Sequence, residues 1–162
     1  MPTRRLETEI WLPQPLEEVF GCFSDASNLE AITPPWLHFK IVTPSPISMH
    51  QGALIDYRLR LRIFPIRWRT LIHRWQPPHR FTDTQLRGPY LLWYHEHTFE
   101  ERDGGTFMRD RVRYRVAGWL LEPLIHRWFV RRDLERIFQY RQQKIQELLG
   151  VEEQRLAPVR LG

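Results

Sequence analysis

Residues 91–116 read LLWYHEHTFEERDGGTFMRDRVRYRV, and this stretch decides the fold. In its first half Trp93, His95, His97 and Phe99 alternate with Tyr94, Glu96, Thr98 and Glu100. In its second half Met108, Asp110, Val112, Tyr114 and Val116 alternate with Arg109, Arg111, Arg113 and Arg115. A period of two places successive side chains on opposite faces of a sheet, so both halves are strands with one apolar face. Asp103-Gly104-Gly105 between them supplies the residues that tolerate the backbone of a tight turn, which makes the pair a β-hairpin.

Reading back from the hairpin, the same period recurs. Arg80 to Leu86 is a strand that ends at Gly88-Pro89. Ile66 to Trp75 sets Arg67 and Arg69 against Trp68, Thr70 and Ile72, with Arg74 on the apolar side. Ala53 to Ile63 sets Arg58, Arg60 and Arg62 against Ile55, Tyr57, Leu59 and Leu61. Trp36 to Thr43 is strand-like, as is Arg5 to Leu12, which stops at Pro13 and Pro15. Leu16, Val19, Phe20 and Phe23 then recur at helical spacing, and a second short helical turn covers Leu29 to Ile32. Beyond Gly118 the pattern is helical again. A helix is predicted from about Glu122 to Leu149, with an irregularity in its first half and Leu134, Ile137, Phe138, Ile145 and Leu148 on one face.

The element order is strand, two short helices, six strands and one long helix. Strands joined by short turns form an antiparallel meander. Its apolar face needs a cover, and the C-terminal helix is the element long enough to provide one. The expected class is α+β: a seven-stranded antiparallel sheet wrapped around a long C-terminal helix, with two short helices after the first strand. Residues 1–150 make a single domain, and 151–162 read as a flexible tail.

Composition narrows the function. The 162 residues carry a formal charge of +5, yet Lys40 and Lys144 are the only lysines and the arginines are spread among glutamates. Arginine rows beside glutamates read as a solvated outer face, so no nucleic-acid partner is expected. No segment approaches the roughly 20 apolar residues of a membrane span. Cys22 is the only cysteine, which fits a reducing, cytoplasmic location. Aromatic residues make up 13% of the chain, including seven tryptophans, and most fall on the inner face, where large rings against a curved sheet suit a cavity.

The inner face is apolar except for Tyr57, Arg74, Asp83, His95, His97, Asp110 and Tyr114. Buried polar groups need partners, and Arg74, Asp83, His95, His97 and Asp110 fall on strands close enough to form one cluster. An apolar cavity with a few converging polar groups is the usual form of a small-molecule site. The ligand-binding candidates are therefore Tyr57, Trp68, Arg74, Asp83, Trp93, His95, His97, Asp110, Tyr114 and Phe138.

Several short stretches carry a family resemblance. They are Leu29-x-x-Ile32-Thr33-Pro34-Pro35-Trp36-Leu37-x-Phe39, Arg80-Phe81-x-Asp83, and Gly88-Pro89-Tyr90-x-x-Trp93-x-His95-x-His97-x-Phe99. Gly104-Gly105-Thr106 with Asp110 and Tyr114, and Ile137-Phe138-x-Tyr140-Arg141, complete the set. Together with the element order they resemble a bacterial branch of the START-like helix-grip superfamily, the polyketide cyclase/dehydrase-like ligand-binding proteins (SRPBCC), and the resemblance covers roughly Leu6 to Leu149. That resemblance implies an internal cavity for a small hydrophobic ligand, lipid-like or polyketide-like. It does not choose among carriers, accessory modules with an unknown partner protein, and enzymes, all of which use this scaffold.

Two readings of the site stand side by side. In a carrier, Tyr57, His95, His97, Asp110 and Tyr114 hydrogen-bond the polar end of the ligand. In an aromatase/cyclase- or dehydratase-type enzyme, the catalytic candidates are His95, His97 and Asp110. There His95 or His97 acts as base, Asp110 orients it, and Arg74 or a tyrosine stabilises an enolate. His95-x-His97 with Asp110 could also chelate a metal, but no spacing signal fixes a third ligand, so neither a metal nor any other cofactor is expected.

Overall fold

The computed structural model describes residues 2–151 and 157–162, Trp119 by its backbone alone. Strand β1 (Arg4–Leu12) leads into helices α1 (Leu16–Ser24) and α2 (Asn28–Ile32). The sheet continues through β2 (Lys40–Ile41), β3 (Leu54–Leu61), β4 (Phe64–Gln76), β5 (Arg80–Arg87), β6 (Leu92–Arg102) and β7 (Gly105–Arg115). A short helix α3 (Glu122–Ile125) passes through a π-helical turn (His126–Val130) into α4 (Arg131–Leu148). The expected irregularity of the long helix is this π turn.

The described strands form one antiparallel sheet in the order β2-β3-β4-β5-β6-β7-β1-β8. The eighth strand, Arg160–Leu161, comes from the segment expected to be a loose tail. It pairs with Leu6 and Glu7 of β1, and Arg5 and Gly162 exchange backbone hydrogen bonds of 2.9 and 3.0 Å. Residues 152–156 of that expected tail lie outside the described residues.

Most of the strand expected at Trp36 to Thr43 is something else. Pro34 and Pro35 fix their own φ and start a 3-10 turn over Pro35–Leu37. His38 then takes a left-handed φ of 45°, which leaves a strand of two residues.

Arg74 also departs from its expected place. The β4–β5 register shifts between Ile72 and Arg74, so one residue of β4 goes unpaired and the alternation changes phase. Trp75 turns inward against Phe20 and Phe81, and Arg74 is exposed.

Outside, the arginine rows find carboxylates on neighbouring strands. Arg109 and Arg111 reach Glu9 and Glu7 of β1 at 2.8 and 3.5 Å, and Glu96 lies 3.9 Å from Arg80. Asp56 takes a two-pronged contact from Arg69 at 2.8 and 2.9 Å. Exposed pairs of this kind contribute little each.

Inside, Phe20 meets Trp75, Phe81 and Phe99 at one end of the sheet, at centroid distances of 5.3–5.9 Å. Trp68, Trp93, Tyr114, Leu134 and Phe138 pack at the other. The start of β7 requires a glycine where it passes the end of β1. A Cβ built on Gly105 would stand 2.3 Å from the Leu12 carbonyl oxygen and 2.7 Å from the Trp11 ring. The carbonyl belongs to the β1–β7 ladder and cannot move aside alone. Gly105→Ala is expected to cost about 1–3 kcal/mol in urea unfolding, the range for overpacking; an unchanged midpoint would refute this close approach.

Among the described residues, no helix is long and apolar enough to cross a membrane.

Candidate functional site

Three neighbouring strands assemble the site through their register. Asp83 of β5 lies opposite His95 of β6, and His97 of β6 lies opposite Asp110 of β7. The two-residue period keeps all four on the inner face. Helix α4 closes the cluster with Arg141, whose Nε is 3.6 Å from Asp110 Oδ2.

The distances describe one connected group. His97 Nε2 hydrogen-bonds Asp83 Oδ2 at 2.9 Å. His97 Nδ1 stands 2.7 Å from Asp110 Oδ1, off the line of a good hydrogen bond. His95 bridges the same two carboxylates more loosely, with Nε2 3.4 Å from Asp110 Oδ1 and Nδ1 3.7 Å from Asp83 Oδ2. The imidazoles lie against each other at 3.8 Å between centroids, and Phe81 stacks on the far face of His97 at 4.1 Å.

Electrostatics divide these groups into distinct states. Burial alone would raise both carboxyls. His97, Arg141 and His95 outweigh it at Asp110 and hold that group well below the usual carboxylate range. His95, His97 and Arg141 do the same, less strongly, for Asp83. Burial pulls His97 down, but Asp110 and Asp83 on its two sides prevail and raise it. At His95 burial and the neighbouring His97 win, and its pKa falls. These directions keep both carboxyls ionised beside the Arg141 guanidinium and favour His97 over His95 as the site of a proton on the histidine pair. Opposite charges set against one another offset part of the cost of burying them.

Beside the cluster lies a cavity of about 190 Å³. Its walls include Trp68, Trp93 and Phe138. Its polar lining consists of Tyr57, Thr70, Asp83, His95, His97 and Arg141, with Asp25, Asn28 and Thr33 from the α1–α2 side and the Cys22 thiol. The Tyr57 hydroxyl hydrogen-bonds Thr70 Oγ1 at 2.9 Å, and Trp68 Nε1–H donates to the same oxygen at 3.1 Å. Burial, reinforced by Asp83, pushes the Tyr57 phenol far up, so it stays a neutral donor.

Seven of the residues singled out from sequence thus face the cavity: Tyr57, Trp68, Asp83, Trp93, His95, His97 and Phe138. Three do not. Asp110 is 3% exposed and sits behind the histidines. Tyr114 is fully buried, and its hydroxyl bonds His126 Nε2 at 2.8 Å. Arg74 is exposed and takes no part, and Arg141 supplies the inward guanidinium expected of it. Arg141 had a readable signal: it follows Leu134 and Phe138 and precedes Ile145 at spacings of seven, three and four, on the apolar face of α4. Thr70 was legible as an inward residue between Trp68 and Ile72.

The donor atoms of Asp83, His95 and His97 all lie within 4.8 Å of one another, a set able to hold a metal ion. Asp110, the third ligand considered from sequence, lies on the opposite side of both imidazole rings.

No protein-family model matches the chain, and no curated protein matches it. Solved structures do. The Zhui aromatase/cyclase from a Streptomyces species is 16% identical, with a TM-score of 0.72 over 92% of this chain and 94% of its own. A norcoclaurine synthase from Thalictrum, a point mutant bound to a transition-state analogue, is 11% identical, with a TM-score of 0.65 over 91% and 94%. A nucleoside-diphosphate sugar epimerase from Corynebacterium glutamicum is 24% identical, with a TM-score of 0.62 over 89% of this chain but 29% of its own. The chain has the START-like helix-grip fold, as the element order had implied.

Proposed function

We propose that the protein binds a small, mainly apolar ring compound in the internal cavity, with the oxygen-bearing end of that ligand against Tyr57, Asp83 and His95. The observation that carries this reading is the asymmetry of the cavity. Aromatic and aliphatic walls make up most of its surface, and Tyr57, Thr70, Asp83, His95 and His97 line it from the successive strands β3 to β6. A dry cavity of roughly 150 Å³ accepts a benzene ring. At about 190 Å³ this one suits a one- or two-ring molecule. Lipid-like and polyketide-like compounds with such a ring are the natural classes. That solved structures of the same fold include an aromatase/cyclase and a norcoclaurine synthase supports a ring-shaped ligand.

One further observation favours chemistry on that ligand. His95 and His97 are adjacent, yet their environments push their proton affinities apart, His95 toward the base and His97 toward the acid. Such pairs are how acid–base sites divide roles. In a cyclase-like step His95 would take a proton from carbon next to a carbonyl, with Tyr57 donating a hydrogen bond to the carbonyl oxygen.

Isothermal titration of metal-free protein with 2-naphthol and with naphthalene tests the binding reading. 2-Naphthol should bind more tightly. Tyr57→Phe should narrow the gap by about 2–10-fold, the value of one net hydrogen bond of 0.5–1.5 kcal/mol. Saturable binding of neither compound would reject this function.

A further inference from the structure

We infer that Asp83, His95 and His97 form a site for one divalent transition-metal ion, with a free coordination position opening into the cavity. Convergence is the first ground. Asp83 Oδ2 lies 2.9 Å from His97 Nε2 and 3.7 Å from His95 Nδ1, and all three donors fall within 4.8 Å of one another. In a tetrahedral site with bonds of about 2.0–2.2 Å, neighbouring donors stand about 3.3 Å apart. Small side-chain rotations therefore bring the three onto a single ion.

The second ground is what stands behind the rings. A metal-bound histidine ordinarily donates its other ring N–H to a carboxylate, which fixes the tautomer and the ring plane. Here the far nitrogens of both rings face the same carboxylate oxygen, Asp110 Oδ1, at 3.4 and 2.7 Å. Arg141 holds the other oxygen of that carboxylate at 3.6 Å. One carboxylate backing two imidazoles can serve as a supporting shell, and the near nitrogens both turn toward Asp83 Oδ2, where a metal would replace the His97–Asp83 hydrogen bond.

The third ground is access. Asp83, His95 and His97 line the cavity and Asp110 does not. Three protein ligands with an open fourth position is the pattern of metal sites that bind or activate small molecules, not of closed structural sites. Two imidazoles and one carboxylate suit zinc or ferrous iron, whereas calcium and magnesium prefer all-oxygen shells. Charge identifies what the free position takes. Two carboxylates, Arg141 and a divalent ion leave one positive charge, which an oxygen anion restores to zero. Hydroxide, or a phenolate, enolate or carboxylate of a bound molecule, meets that need.

The test is titration of chelator-treated, full-length Cys22→Ser protein with cobalt(II), followed by visible absorption and by metal analysis after desalting. The expected result is one cobalt per chain with intense d–d bands, displaced by zinc. Asp83→Asn should abolish one-to-one uptake, and Asp110→Asn should weaken it by about 10–100-fold. If uptake is absent the site does not exist, and if Asp83→Asn leaves it unchanged the binding belongs to exposed histidines such as His50, His73 and His79. Should a variant fail to fold, histidine ring NMR on the unmodified chain decides. Zinc must shift His95 and His97 together, and a spectrum in which they stay put overturns the assignment. The naphthol titration uses metal-free protein, so failure of one reading leaves the other standing.

Discussion

Asp110→Ala lowers stability by about 3–5 kcal/mol, the cost of removing one partner from a buried ion pair. At about 2–4 °C per kcal/mol for a chain of this size, the melting temperature falls by roughly 6–20 °C. Asp110 is 3% exposed and faces His95, His97 and Arg141 from behind, so bulk solvent does not reach the charges it leaves unpaired. Without it, Asp83 alone must balance Arg141 and a protonated His97. His97 can shed its proton, but Arg141 cannot. Asp83→Asn is expected to cost less, because the Asp83 side chain is 17% exposed and borders the cavity. Urea unfolding of both variants gives the ranking. Equal midpoints for Asp110→Ala and the unmodified protein would mean that the cluster is not held in the charged form.

Phe138→Ala is the second large effect, and it has two parts. The ring is 4% exposed, packs 5.8 Å from His95 and forms part of the cavity wall. Its removal is expected to cost about 3–5 kcal/mol. Unlike a truncation elsewhere in the core, it also enlarges an existing cavity. The variant should therefore accept a three-ring phenol such as 9-phenanthrol, which the unmodified cavity is too small to hold. At a free concentration near 100 Kd that compound would return about 2.7 kcal/mol of the lost stability. Thermal melts with and without 9-phenanthrol measure both parts. Stabilisation of both proteins alike would place binding elsewhere.

What could be read from the sequence follows from how local each signal is. The Asp103-Gly104-Gly105 turn and the alternation on both sides of it fix β6 and β7 with their register, and so bring His97 opposite Asp110. Asp83 beside His95 follows from the same logic one strand further on. Arg74 was misplaced because a bulge is a one-residue event that alternation cannot register. The loss of the Trp36–Thr43 strand is local too, set by Pro34 and Pro35 and a left-handed His38. Arg141 could be placed on the apolar face of α4, but its meeting with Asp110 depends on how the helix lies across the sheet. The strand at Arg160–Leu161 pairs with residues about 150 positions earlier, and nothing near it in sequence points there.

The binding claim is tested most directly by methyl NMR of the metal-free protein during titration with 2-naphthol. The account predicts saturable shifts at Ile55, Ile72 and Leu134, which line the cavity, together with the ring signals of His95. Leu6 and Ile10 of β1, which do not line it, should remain in place. Saturable shifts confined to surface methyls, or none at all, would contradict it.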